Sequence, residues 1–530
     1  MNLKNKYTIY LIPLTLIILI EFFSLYYAQF HYDGFHIGLL LNVANDLNTG
    51  KLIYKDFFYE YGVLNGYLNL LILKVFNNNI YLLFAIYSQF YVLGIILLYF
   101  LTKEKLGLDY AALFIIIIFI VHPFLIKPWH NYLLFFFISA FLYMKSLFKI
   151  KYDLFSSLIL GIAFLFSETF LVTSFLVLII DLIHSFKVFG KRILLKKITL
   201  FLLPIISFFI FLFANNLITD WLLYNETYPV LLKYFYKTDI YSYILDHFKI
   251  LLFAYKYLYS DTVIILYSLI YLGNFIFIII NLKNFYKNKL NKLSLFFLLL
   301  ASLNLILISQ TISSIATFKL ATLSSFGLLI ILFFIKNIKE SYLRRLMVSL
   351  IILICLNSFF DEKKSWISER YQFSENNIKS KKFDFLKTQR YPKLVWSHLE
   401  KFDKITLDIR NKCNIKFFAN FTDDAFYYHL TRDKFEFSQF LYWFRNQERY
   451  YQNNFYSSLT ELFDNKFTSR IIDRMNNKNI FFITDAVNKD NIFLIDKNIS
   501  FKEGFNYIYL PYTSVHGSKV VLLPKNCNIL

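Results

Sequence analysis

The sequence is poor in the residues that staple or punctuate a chain. Three cysteines in 530 residues exclude a disulfide-dense scaffold, and none forms a CxxC pair. Cys355 lies in an apolar run. Cys413 and Cys527 fall in the polar C-terminal region and are either a pair, if that region is extracytoplasmic, or two free thiols. Glycine (13) and proline (8) are scarce, and there is no Gly-rich phosphate loop, nucleotide-binding fingerprint, internal repeat or low-complexity linker. Charge is thin too, at 17% of residues against 57% hydrophobic. So little charge, with the apolar residues in long runs, argues for a polytopic membrane protein over a soluble one. A net charge of +20 on a soluble protein would suggest nucleic acid. Here the basic residues cluster between apolar runs, a pattern that sets topology. Phe (64) and Tyr (41) abound alongside Lys, Asn and Ile, as in AT-rich coding, so an aromatic cluster alone carries no argument.

Apolar runs long enough to span a bilayer lie near 7–28, 80–101, 110–126, 129–148, 197–217, 262–282, 293–312, 318–335 and 342–359. The first, Tyr7 to Ala28, reads as a retained signal anchor. The run 154–184 is interrupted by Ser167, Glu168 and Thr169 and reads as two short helices meeting at a polar apex. That gives about eleven membrane segments. Alternate connections then hold 20 basic residues, among them Lys145 and Lys197, and the opposite connections hold nine lysines matched by nine acids. The positive-inside bias places the N-terminus inside and the C-terminal region outside.

Two large outer connections follow, about 29–79 and 218–261. In the first, Leu40, Val43, Ala44 and Leu47 form a stripe opposite Asn42, Asn45, Asp46 and Thr49, the pattern of an amphipathic helix lying in the membrane interface. A more apolar helix covers Val63 to Phe76. Residues 1–359 thus form a transmembrane domain and 360–530 a small soluble α/β domain. Its strands are expected at Ile415–Asn420, Asn479–Asp485, Tyr507–Tyr512 and Lys519–Pro524, and its helices at 424–431 and 457–476.

Asp33 is the strongest candidate for chemistry. It sits where the first helix leaves the bilayer, and it either caps the next helix or takes a proton from an incoming hydroxyl. An apolar lid would raise its basicity unless a neighbouring charge cancelled the effect. His31 and His36 flank it and, with Glu60, are metal-ligand candidates, although the i, i+2, i+5 spacing fits no standard motif. Glu168, in the middle of an apolar run, is either functional or a cap for the returning helix. Glu21 has a similar claim. Lys319, Lys127 and His130 occupy outer turns, where they either bind a lipid phosphate or snorkel.

Three stretches carry a resemblance. They are DGFHIGLLLNVANDLNTGKLIYKDFFYEYGVL (33–64), GIAFLFSETFL (161–171) and IKFFANFTDDAFYYHLTRDKF (415–435). Together they resemble the GT-C superfamily of membrane glycosyltransferases, in the branch of protein O-mannosyltransferases and the aminoarabinose transferase of lipid A. Gly34 stands where many members carry a second acid, Val63 where proline is common and Ser167 where a basic residue is common. The second acid is then absent, or supplied by Glu60 or Glu168.

The resemblance implies inverting sugar transfer from a polyprenyl-phosphate donor to a glycan, lipid or protein hydroxyl on the outer face. Asp33 would be the base, with Glu168 and Glu60 as further catalytic candidates, and Lys319, Lys127 and His130 would hold the donor phosphate. It implies no required cofactor, leaves a divalent metal open, and gives membrane lipids but no nucleic acid as partners. The location would be the bacterial inner membrane, with the N-terminus cytoplasmic and residues 360–530 periplasmic. A lipid-linked glycan polymerase or ligase, or a lipid or glycan transporter, are the alternatives.

Overall fold

The structure, a computed structural model, describes residues 3–34, 36–57, 59, 61–122, 125–168, 170–222, 262–307, 322–370, 377–420, 422, 424–431, 433–437, 473–485, 505–512 and 517–529. Each of the eleven expected segments is a helix there: α1 (Leu3–Ala28), α4 (Ile80–Leu106), α5 (Leu108–Val121), α6 (His130–Ser146), α7 (Ile150–Phe166), α8 (Phe170–Phe189), α9 (Leu194–Ala214), α10 (Thr262–Tyr286), α11 (Lys292–Leu307), α12 (Ser325–Asn337) and α13 (Ser341–Arg370). Two more, α2 (His36–Asn48) and α3 (Val63–Val75), lie in the first connection.

The helix ends follow local chemistry. Asn79 caps α4 by accepting from the Tyr81 N–H at 3.1 Å. Gly107, at φ 104°, ends α4 and starts α5 without the penalty a side chain would meet. Helix α7 ends at Phe166 and α8 starts at Phe170, as the polar interruption predicts.

Five of these helices are long and apolar enough to cross a bilayer: Leu11–Ala28, Ile80–Leu106, Phe170–Phe189, Lys191–Ala214 (which includes a leading 3-10 turn) and Leu266–Tyr286. Leu11, Leu14, Ile18 and Phe22 of α1, Val172 and Ile179 of α8, and Leu203 and Ile210 of α9 face outward. Such exposed apolar faces belong against lipid.

The C-terminal region forms a mixed five-stranded sheet in the order β4-β3-β5-β7-β6: β3 (Phe417–Asn420), β4 (Glu436–Phe437), β5 (Ile480–Asp485), β6 (Phe505–Tyr509) and β7 (Lys519–Pro524). A short antiparallel pair, β1 (Asn377–Ile378) and β2 (Tyr391–Pro392), precedes it. Strand β3 runs parallel to β4 and β5, whereas β7 runs antiparallel to β5 and β6. Every residue of β7 is buried, as a central strand requires. Helix α14 (Lys393–Lys412), not anticipated from the sequence, packs Phe402, Ile405 and Ile409 onto Phe418, Phe481 and Val521 of the sheet. A short helix, α15 (Phe426–Thr431), follows β3.

Cys413 and Cys527 form a disulfide, which settles that alternative. The main hydrophobic core is continuous from α1 into the C-terminal region, where it takes in Leu386, Tyr391, Trp396 and Phe426.

Helix α2 departs from the interfacial expectation. Its apolar stripe is buried, and so are Asn42 and Asp46 on the polar side. The Asn42 amide donates to the Ala425 carbonyl (2.9 Å), and the Tyr428 hydroxyl donates to Asp46 (3.0 Å). Asn42 and Asp46 of the polar stripe thus meet α15 and the turn before it instead of water. Amphipathic periodicity reports two unlike faces, not what covers the polar one.

Candidate active site

Asp33 sits in the turn between α1 and α2. The His36 N–H donates to its Oδ1 at 3.0 Å and the Ile37 N–H to its carbonyl at 3.1 Å, so the capping role is real. Its other oxygen, Oδ2, accepts from the Lys127 ammonium at 2.9 Å. Both side chains are nearly closed to solvent, at 10% and 5% exposed. The His36 ring nitrogen Nδ1 lies 2.9 Å from Oδ2, and the His31 Nε2 lies 3.5 Å from it.

Burial pushes the Asp33 carboxyl up. The Lys127 ammonium and His36 outweigh burial and hold it well below the usual carboxylate range. The neighbouring charge therefore cancels the lid effect, and Asp33 is firmly ionised.

Lys127 and Trp129 come from the connection between α5 and α6. The ammonium lies 4.6 Å from the centre of the Trp129 ring, and the His36 ring meets the same indole edge-on at 5.0 Å. His130, the first residue of α6, tilts onto Tyr61 at 4.8 Å. The Asp33 carboxylate thus holds a lysine where a metal ligand set was weighed for His31 and His36.

Glu168 lies at the α7–α8 apex and is buried. The Tyr54 hydroxyl and the Trp221 indole N–H (3.0 Å) donate to its two oxygens, and the Val63 N–H also bonds to it. Burial outweighs those donors and pushes its carboxyl up to about 8. Tyr54 sits at φ 74°, a region that bulky side chains rarely adopt. Gly62 lies so close to the apex that a Cβ there would come within 2.4 Å of the Leu165 carbonyl. The Gly62 N–H donates to the Phe166 carbonyl at 3.2 Å. The YGVL and SETF stretches, read separately in the sequence, therefore touch.

The C-terminal region reaches the same end of the helices. The Arg390 N–H donates to the Gln29 carbonyl (2.7 Å), the Tyr391 hydroxyl to the His31 carbonyl (3.1 Å), and the Ala425 N–H to the Gly34 carbonyl (3.0 Å). These contacts, with Tyr54 and Trp129, were missed by sequence reasoning, although Tyr54 carried a signal in its place in the YKDFFYEYG stretch. Glu60, Lys319 and most of 218–261 lie outside the described residues.

Asp181 is an acid that the sequence reading passed over inside the 154–184 run. With Asp153 of α7 it forms a closed quartet with Lys145 of α6 and Lys197 of α9. Lys145–Asp181 is 2.6 Å, Lys197–Asp181 2.7 Å and Lys197–Asp153 3.0 Å, and Lys145 also contacts Asp153. All four side chains are buried. Among the described residues, Asp153, Asp181 and His184 are the group with metal-ligand spacing. Two ammonium groups already neutralise these carboxylates. The quartet lies at the opposite end of α7 from Glu168, roughly 20 Å away at the helical rise of about 1.5 Å per residue.

The architecture, a helical membrane bundle with a small C-terminal sheet region, is that of the GT-C fold. The solved structures it matches include two kinds. One is ArnT from Cupriavidus metallidurans. Bound to undecaprenyl phosphate, it matches with TM-score 0.52 and 9% identity over 97% of each chain. Its apo state matches with TM-score 0.54 and 8% identity over 98% of each chain. The other is the Archaeoglobus fulgidus oligosaccharyltransferase tethered with an acceptor peptide, with TM-score 0.50 and 11% identity over 96% of this chain and 73% of that one. No protein-family model matches the sequence, and no curated protein does.

Proposed function

We propose that this chain is an integral-membrane glycosyltransferase that moves a sugar from a polyprenyl-phosphate donor to an acceptor hydroxyl, with inversion. The observation that carries the reading is the Asp33–Lys127 pair at 2.9 Å, at the mouth of α1 and α2 in a GT-C fold. One group can accept a proton and its neighbour can hold a phosphate. The ArnT neighbour, bound to undecaprenyl phosphate, supports a lipid-phosphate donor.

The acceptor oxygen forms a bond to the anomeric carbon while the bond from that carbon to the phosphate oxygen breaks. Asp33 receives the hydroxyl proton. The phosphate leaves with the bonding electrons, and Lys127, backed by His130, stabilises its charge. A phosphate that shares the Lys127 ammonium also loosens its hold on Asp33, which restores basicity when the donor is seated. Glu168, protonated at neutral pH, anchors the YGVL stretch to the α7–α8 apex.

The reaction takes place on the outer face. The positive-inside count and the Cys413–Cys527 disulfide support that side, since disulfides persist in oxidising compartments. The charged quartet is the kind of intramembrane feature a transporter would show, but it is closed on itself and remote from Asp33.

The test is transfer from a panel of polyprenyl-phosphate sugars by the purified chain. Wild type transfers at least one sugar, and Asp33→Asn loses about 100-fold or more in kcat. Full activity in Asp33→Asn overturns the base assignment.

A further inference from the structure

We propose that Asp424 is a positioning residue of this centre: the C-terminal region carries its carboxylate against Gly34, into the space a side chain there would fill, and so holds Asp33 on Lys127. This rests on the catalytic reading above. A Cβ on residue 34 would lie 2.2 Å from Asp424 Oδ1, an impossible contact, so residue 34 and Asp424 share one side chain's worth of room. The residues on both sides of Asp33 are gripped. The Tyr32 hydroxyl donates to Asp424 Oδ2 at 2.6 Å, and the Gly34 carbonyl accepts from the Ala425 N–H at 3.0 Å. Asp424 Oδ1 also accepts from the Phe426 N–H at 3.0 Å.

The grip is braced behind and ahead. The Asn420 amide, at the end of β3, donates to the Asp424 carbonyl at 2.7 Å, and Thr422 Oγ1 accepts from the Asp424 N–H at 3.1 Å. One turn along α2, a Cβ on Gly38 would lie 2.8 Å from the Phe426 nitrogen. Two glycines four residues apart thus clear one face of the chain for the 424–426 turn. Asp424 is 5% exposed, so its carboxylate is fixed by these donors and not by water. Misplacement of a reacting group by about 1 Å costs on the order of 100-fold in rate, so a grip on residues 32 and 34 is a grip on catalysis.

The experiment compares Asp424→Asn and Gly34→Ala with wild type in the full-length, detergent-purified chain. Lys434→Ala is the control. It loosens the C-terminal region at Asp403 and Thr406, away from Gly34. Two readouts are taken: kcat and donor KM, and the rate at which an amine-reactive reagent labels Lys127, read by mass spectrometry, with Asp33→Asn as the fully released reference.

Asp424→Asn and Gly34→Ala are expected to lower kcat by about 10-fold or more with donor KM within about two-fold. They are also expected to label Lys127 several-fold faster, towards the Asp33→Asn rate, with an unchanged melting temperature in Asp424→Asn. Lys434→Ala keeps kcat within about two-fold and wild-type labelling. The proposal is overturned if folded Asp424→Asn keeps wild-type kcat and labelling, or if Lys434→Ala reproduces its losses. Should wild type transfer no sugar, the proposed function has failed, and the labelling rates alone then decide whether Asp424 holds Asp33 on Lys127.

Discussion

Asp33 and Glu168 are both buried carboxylates, yet their neighbours drive them in opposite directions. Lys127 and His36 keep Asp33 ionised, whereas Glu168 meets neutral donors among the described residues and retains its proton to about 8. Two acids whose surroundings push them apart can take different roles at one pH. The consequence for stability has a definite sign. Between the ordinary glutamate range and about 8, unfolding releases the Glu168 proton that the fold retains. The unfolded chain therefore binds fewer protons in that window, and stability falls as pH rises through it. Denaturation of the purified chain across that range should show a decline on the order of a few kcal/mol, flattening in Glu168→Gln. An equal decline in Glu168→Gln would assign it to other groups. In the sequence, the cap at Asp33 was legible because its partner His36 lies three residues on. The Lys127 pair was not, because 94 residues separate the two and no local pattern encodes that meeting.

At the scale of elements, the quartet ties four helices together. It draws one charged group each from α6, α7, α8 and α9 into the buried interior of the bundle. Buried ions of this kind are poor sources of net stability, but breaking one side leaves a charge with no counterpart. Lys197→Met should therefore destabilise the bundle by about 3–5 kcal/mol, read from unfolding of the detergent-solubilised chain. Asp181→Leu combined with Lys197→Met restores neutrality and should recover much of the loss. A single variant as stable as wild type would show that the quartet does not clamp the helices. The eleven segments were legible because hydrophobic length and polar interruption act locally. The quartet was not, since Lys145 and Lys197 read as ordinary basic residues beside the membrane. Helix α14 did carry a signal. Its Val395, Leu399, Phe402, Ile405 and Ile409 recur at helical spacing.

At the scale of the whole molecule, the C-terminal region is packed onto the end of the bundle that carries Asp33 and Lys127. It meets the α1–α2 segment at Gln29, His31, Tyr32, Gly34, Asn42 and Asp46, and it shares the bundle's core through Phe426 and Tyr391. What keeps that region in one piece therefore bears on the reaction. The Cys413–Cys527 disulfide joins the end of α14 to the segment after β7, across 114 residues of sequence. A loop of that length restricts the unfolded chain enough to stabilise the fold by about 4–5 kcal/mol in the chain-entropy account. Cys413→Ser should lower the unfolding free energy of the C-terminal region by an amount of that order, and most transfer activity should go with it, because β3 carries Asn420 and the 424–426 turn. The bundle helices, which bury most of their core among themselves, should melt close to the wild-type temperature. Hydrogen exchange read by mass spectrometry, over β3, β5 and β7 for the C-terminal region and over α4, α6 and α7 for the bundle, separates the two. Coincident loss of protection in both would make the two regions a single cooperative unit. Unchanged activity in a folded Cys413→Ser chain would detach the sheet from the chemistry.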